Sequence, residues 1–131
     1  MLIDTSGFFS LYSEEDQHHA RASDIFRNTP RRITTNYVLA EYVALAFVRR
    51  LPRARVVEFS EEVLDDESVE VIWVNEDLHR RGVELLQQRL DKTYSLCDAV
   101  SFVLMRERGE TEALTTDRHF EQEGLVRLLT P

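Results

Sequence analysis

Val69-Glu70-Val71-Ile72-Trp73-Val74-Asn75 decides the fold class. Five apolar residues in the first six, all β-branched or aromatic, make this the clearest strand in the chain. Asn75 follows at once as a capping residue. The helix it opens runs to about Leu90, with Leu78, Val83, Leu85, Leu86 and Leu90 among its apolar positions. The same alternation of strand and helix repeats on both sides. Towards the amino terminus lie a buried strand Leu2-Ile3-Asp4, a short helix Gly7–Tyr12, a helix Gln17–Asn28 closed by Pro30, and a strand Arg32–Thr35. Asn36 then caps a helix from Tyr37 to about Leu51, apolar almost all round and so expected to be buried, and an amphipathic helix follows from Arg53 to about Glu67. Towards the carboxyl terminus Ser95 opens a helix ending near Arg108 before Gly109. A strand Ala113–Thr116, a short helix Arg118–Gln122 and a strand Val126–Leu129 complete the chain. This order predicts an α/β fold with a short, mostly parallel sheet covered by helices on both faces.

The chain has 131 residues, 43 % apolar and 31 % charged, enough for one domain spanning 1–131 with its own core. No internal repeat or linker divides it. The apolar runs Tyr37–Val48 and Leu96–Met105 are shorter than the roughly 20 residues a membrane span needs. The start at Met1 has neither the basic opening nor the apolar stretch of a signal peptide, so a cytoplasmic location is expected. Cys97 is the only cysteine and has no partner for a disulfide or a thiolate zinc site. Sixteen cations against twenty-four acids give a net charge of −8, which excludes coating of nucleic acid through a global positive field. Fifteen of the sixteen cations are arginine, however, and arginine grips phosphate through two parallel hydrogen bonds.

Four of the acids sit out of place. Glu41 is the only charge between Ile33 and Val48, and Asp98 the only charge between Leu96 and Met105. An unpaired carboxylate in such surroundings is costly or takes up a proton. Asp4 and Asp117 follow strands, at the carboxyl edge where open α/β sheets place their ligands. Each has a plainer explanation. Ser95-x-x-Asp98 fits a capping box, Asp117 can cap the short helix after Thr116, Asp4 can close an Asx turn, and Glu41 can pair with an arginine. Four acids at compatible positions together form a different pattern. Mutually repelling carboxylates are relieved by a hard divalent cation, Mg²⁺ or Mn²⁺, and such a cation can orient a phosphodiester and acidify an attacking water.

Asp4-Thr5-Ser6, Glu41, Ser95-Leu96-Cys97-Asp98-Ala99 and Leu114-Thr115-Thr116-Asp117-Arg118-His119-Phe120 with Gly124 together resemble the PIN-domain family, specifically its VapC-like toxins of bacterial type II toxin–antitoxin pairs. The resemblance spans the whole chain. It implies a three-layer α/β/α sandwich and a metal-dependent endoribonuclease, with Asp4, Glu41, Asp98 and Asp117 holding Mg²⁺ or Mn²⁺. Ser6 and Thr115 match the hydroxyl positions that support the acids. The family's fourth acid is its least uniform, so Asp117 ranks below the other three and acts either directly or through an intervening water. The resemblance also implies RNA as substrate, a cognate antitoxin across the groove, a homodimer, and products ending in 5′-phosphate and 3′-hydroxyl.

Arg49-Arg50-Leu51-Pro52-Arg53-Ala54-Arg55 packs four cations beside the Glu41 helix, and Arg49, Arg50, Arg53 and Arg118 are the candidates for RNA phosphate contacts. The alternative for this segment is a solvated helix-to-helix corner. Phe8, Phe9 and Tyr12 are read as core rather than dimer surface, His79 as surface, His119 as surface with a proton donor at the site as the alternative, and His18-His19 as a weak metal pair because helical neighbours diverge. A receiver-like Mg²⁺-binding signalling domain is disfavoured, since Val69–Val74 leads to Asn75 and Lys92 is the only lysine. A catalytically silent PIN-like interaction module is the other alternative, which the unpaired acids disfavour.

Overall fold

The computed structural model describes residues 1–131. Its elements in chain order are β1 (Leu2–Ile3), α1 (Thr5–Tyr12), α2 (His19–Asn28), β2 (Arg32–Thr35), α3 (Asn36–Val48) and α4 (Arg53–Asp65). Then come β3 (Val69–Ile72), α5 (Glu76–Gln88), α6 (Leu96–Arg108), β4 (Glu112–Leu114), α7 (His119–Gln122) and β5 (Val126–Arg127). The strands form one sheet in the order β3-β2-β1-β4-β5, and every pairing is parallel.

Side chains alternate across the sheet and so divide the core in two. Ile3 and Leu114 pack with α1 to α4, around Phe8, Val38, Tyr42 and Val56. Their neighbours Leu2 and Ala113, with Ile33, face α5 to α7, around Leu85, Phe102, Met105 and Phe120. These two clusters are the two interlayer cores of an α/β/α sandwich. Phe8 and Phe9 are buried and Tyr12 half-buried, each packed edge-on or tilted against Tyr42, which bears out their reading as core. Helix α1 lies so close to β4 that a Cβ on Gly7 would stand 2.2 Å from the Leu114 carbonyl oxygen, so only glycine fits there.

Two local expectations are corrected, and a third feature adds to them. Thr35, not Asn36, caps α3: its hydroxyl accepts from the Val38 N–H, while the Asn36 side chain reaches across to the Val74 N–H and ties α3 to the end of β3. Helix α3 is not enclosed all round. It buries Val38, Leu39, Tyr42 and Ala46 but leaves Ala40, Ala44, Leu45 and Val48 at the surface. β3 is an edge strand, and Trp73 beyond it is 66 % exposed. The apolar residues of α3 and Trp73 thus exceed what one copy of the chain covers.

The chain steps outward from β1 to β2 and β3, then returns to the other side of β1 for β4 and β5. The reversal opens a crevice at the carboxyl ends of β1 and β4, where an open parallel sheet holds its ligands. Asp4 leaves β1 at that point, and Thr115 to Asp117 leave β4.

Candidate metal centre and nuclease site

Asp4 occupies the N-cap position of α1, yet its carboxylate does not cap the helix. The side chain points into the crevice, only 4 % exposed. Its Oδ2 accepts a hydrogen bond from the Thr115 hydroxyl at 2.9 Å, and its Oδ1 is buried with no hydrogen-bond partner. Burial pushes its pKa up from 3.8 to about 7, and the charges of Asp98 and Glu41 add to the rise. The Thr115 hydroxyl and the nearby Thr5 N–H, which stands outside hydrogen-bonding geometry, offset part of it.

Asp98, in the first turn of α6, lies near enough for its charge to act on Asp4. The capping box foreseen in the sequence is present: Ser95 Oγ accepts from the Asp98 N–H and Asp98 Oδ2 accepts from the Ser95 N–H, both at 3.0 Å. Capping uses one carboxylate oxygen and leaves Oδ1 free. Asp98 is 6 % exposed, and burial followed by the charge of Asp117 raises its pKa. Asp117 shows the same economy, with Oδ1 accepting the His119 N–H at 2.9 Å. Local backbone bonding therefore occupies only one oxygen of each carboxylate.

Glu41 differs from expectation. It is half-buried rather than enclosed, and no arginine pairs with it. It lines a hollow of about 290 Å³ together with Asp4, Ser6, Arg49, Thr116 and Asp117. The charges of Glu41, Asp4 and Asp98 all act on the Cys97 thiol, whose pKa is raised first by burial and then by these three carboxylates. Cys97 is thus a buried, protonated spacer beside Asp98. Asp4, Glu41 and Asp117, separated in sequence by up to 113 positions, line this one hollow, whereas Asp98 is not among its lining residues: it meets Asp117 and His119 beside it, and its charge acts on Asp4.

The hydroxyls form a bracket around them. Ser6 Oγ lies 3.1 Å from Thr115 Oγ1 and accepts the Thr116 N–H, while Thr115 Oγ1 accepts the Asp117 N–H at 3.0 Å as it donates to Asp4. One threonine side chain thereby fixes an acid after β1 and an acid after β4.

Of the four arginines expected to meet substrate, only Arg49 lines the hollow. Its guanidinium lies 4.4 Å from the centre of the Phe9 ring, a cation–π contact that leaves the hydrogen-bond donors free. Arg53 stacks on Phe47 at 3.8 Å, while Arg50 and Arg118 are exposed and stand outside the hollow. Arg50 takes a left-handed backbone conformation, φ 58°, where the chain turns between α3 and α4.

Both surface readings of histidine are corrected. His79 is half-buried and bonds the Tyr37 hydroxyl. His119 stands in the acidic cluster, Nδ1 3.1 Å from Asp98 Oδ2 and 3.4 Å from Asp117 Oδ2. Asp98, Asp117 and His119 each present a ligand atom within 4.8 Å of the others. The spacing Asp117-x-His119 held that signal: a turn bonding Asp117 to the His119 N–H folds the ring back over the carboxylate. Sequence reasoning missed Glu123. Its buried carboxylate gathers Arg89, Arg106 and the Tyr94 hydroxyl.

The donor set fits a hard divalent cation. Asp4 and Asp98 each hold one oxygen in a protein hydrogen bond and leave the other unbonded, their charges act on one another, and the buried oxygen of Asp4 has nothing to satisfy it.

Comparison with known proteins gives concordant results. The family model described as PIN domain matches residues 1–124. The 23S rRNA-specific endonuclease VapC20 of Mycobacterium tuberculosis is 30 % identical over 129 residues, covering 98 % of this chain and 97 % of its own. A VapC ribonuclease of Archaeoglobus fulgidus is 30 % identical over 112 residues, 81 % of this chain and 70 % of its own. The crystal structure of M. tuberculosis VapC20, described as a sarcin-ricin loop cleaving toxin, superposes with a TM-score of 0.87 at 30 % identity, over 99 % of this chain and 98 % of that one.

Proposed function

We propose that this chain, which belongs to the PIN-domain family, is a VapC-type toxin endoribonuclease that hydrolyses RNA with the help of Mg²⁺ or Mn²⁺. The observation that carries the metal dependence is Asp4 Oδ1, a buried carboxylate oxygen with no partner, facing the charges of Asp98 and Glu41. Asp4, Asp98 and Glu41 are the proposed ligands, with Asp117 either a fourth or one acting through water. A bound divalent cation would stabilise charge on the phosphate oxygens and acidify the attacking water.

The protein's own groups do the rest. Thr115 and Ser6 keep Asp4 and Asp117 in register, so that the carboxylates need no reorganisation when substrate arrives. Arg49, stacked on Phe9 at the rim, offers its donors to a phosphate of the RNA. A water attacking phosphorus opposite the 3′ oxygen, which breaks its bond to phosphorus and leaves with a proton, gives 5′-phosphate and 3′-hydroxyl ends. The loop of 23S rRNA cut by the mycobacterial relative is the first RNA to test.

Partners follow the family: a cognate antitoxin over the groove, and a second copy of the chain. The apolar surface formed by Leu39, Val43, Phe47, Leu64 and Trp73 supports a further protein contact, and the family's habit assigns it to the second copy. No helix is long and apolar enough to cross a membrane.

Purified protein is expected to cut RNA only when Mg²⁺ or Mn²⁺ is added, to stop in EDTA, and to lose activity in Asp98→Asn with the fold intact by circular dichroism. Products ending in a 2′,3′-cyclic phosphate, or full activity in EDTA, contradict the proposal.

A further inference from the structure

His119 is the one residue of the acidic cluster whose ring nitrogens are both engaged. Nδ1 faces Asp98 Oδ2 at 3.1 Å and Asp117 Oδ2 at 3.4 Å, while Nε2 meets the Thr93 hydroxyl at 2.9 Å. A proton on Nδ1 satisfies all of these contacts at once. The ring then donates to Asp98 and accepts from Thr93 at Nε2, whereas the opposite tautomer sets a nitrogen lone pair against two carboxylates. The ring is also held in plane. Tyr94 packs edge-on against it with centroids 5.2 Å apart, and the Tyr94 hydroxyl is fastened to Glu123, itself clamped by Arg89 and Arg106. A chain of contacts thus runs from a buried carboxylate held by two part-exposed arginines to the oxygen of one acid.

We infer that His119 is a positioning residue for the cation site: its Nδ1–H, latched from behind by Thr93, pins Asp98 Oδ2 so that Asp98 Oδ1 is held towards the cation. This rests on the reading of the acids as a divalent-cation site. A hydrogen bond of this kind to a ligating carboxylate fixes its rotation before the ion arrives, and losing such a contact typically weakens metal affinity by about 10- to 100-fold. The ring is not itself a ligand. The nitrogen that faces the acids carries the proton, and the nitrogen with the lone pair is turned away to Thr93.

The test is Mn²⁺ binding by calorimetry, with Mn²⁺ electron spin-echo spectroscopy to detect directly bound nitrogen, on wild-type protein and three variants. His119→Ala is expected to weaken Mn²⁺ binding at least tenfold, and Thr93→Val by a smaller factor. His119→Asn, whose amide N–H falls near the place of Nδ1, is expected to recover affinity to within about threefold of wild type. Thermal unfolding in EDTA separates this rescue from a general loss of fold. Wild-type affinity in a folded His119→Ala, no recovery in a folded His119→Asn, or a directly bound nitrogen in the wild-type spectrum each overturns the inference. Failure of the wild-type protein to bind Mn²⁺ at all would instead remove the cation reading itself.

Discussion

Replacing Asp4 by Asn is expected to stabilise the metal-free protein while abolishing its activity. The folded protein raises the Asp4 pKa from 3.8 to about 7, chiefly by burial and then by the charges of Asp98 and Glu41. A folded-state pKa above the unfolded one means that the folded form binds the extra proton between about pH 4 and pH 7. Stability is therefore lost as pH rises through that window, by about 1.4 kcal/mol per unit, and the full penalty of about 4 kcal/mol is present above it. Asn cannot ionise and escapes the penalty, and its amide can still accept from Thr115 with the carbonyl oxygen while turning N–H groups towards the neighbouring acids. Urea unfolding of both proteins in EDTA at a series of pH values isolates this residue, because the other titrating groups largely cancel in the difference. The variant should be the more stable by several kcal/mol near pH 8, with the gap closing by about pH 4. Mn²⁺ at a hundred times its dissociation constant should stabilise the wild type by about 2.7 kcal/mol and the variant far less. A gap that does not change with pH, or a variant less stable than wild type near pH 8, refutes the reasoning.

Thr115→Val removes the donor to Asp4 Oδ2 and the acceptor of the Asp117 N–H at nearly constant volume, so Asp4 should hold its proton more tightly; the kcat/KM profile is expected to move to higher pH by about one unit. Arg49→Ala should raise KM for RNA about tenfold with little change in Mn²⁺ affinity, measured by steady-state kinetics and calorimetry, because the side chain touches the rim of the hollow and none of the acids. Glu123→Gln should cost about 1–2 kcal/mol in urea unfolding near neutral pH, less than for an enclosed pair, since Arg89 and Arg106 retain water. Burial acts against the charged form of Glu123, but Arg89, Tyr94 and Arg106 more than offset it and lower its pKa below the usual 4.5. Its contribution is accordingly present above that value and lost on acidification, so the difference from the Gln variant should shrink at low pH.

The layers of this fold are legible in the sequence because strand and helix signals alternate without interruption. Arg32-Ile33-Thr34-Thr35 forms a strand over those same four residues, and Asn75 and Ser95 cap the helices they precede. What periodicity cannot reveal is which elements lie at an edge. Val69–Ile72 reads as the clearest strand but its composition does not show that it borders the sheet, and α3 reads as enclosed although one side faces outward. Both points have the same cause: an apolar residue marks a surface that some partner covers, and the sequence does not say whether that partner is the same chain. In the site, Asp4 and Asp98 stood out as acids with apolar neighbours, and they are the two carboxylates whose pKa burial raises. Glu41 stood out for the same reason but is only half-buried, since its isolation in sequence reflects the apolar surface of α3 rather than depth. Glu123 went unread and His119 was ranked as surface above its alternative at the site, because their places depend on contacts with Thr93, Tyr94, Arg89 and Arg106, which no local pattern encodes.

The central claim is that acids distant in sequence share one cation. Anomalous diffraction from crystals soaked in Mn²⁺ tests it most directly. The account predicts a peak in the crevice at the carboxyl ends of β1 and β4, within coordination distance of free oxygens of Asp4 and Asp98 and absent from Asp98→Asn crystals. A fully occupied Mn²⁺ elsewhere on the protein, with Asp4 and Asp98 left unbridged, would contradict it.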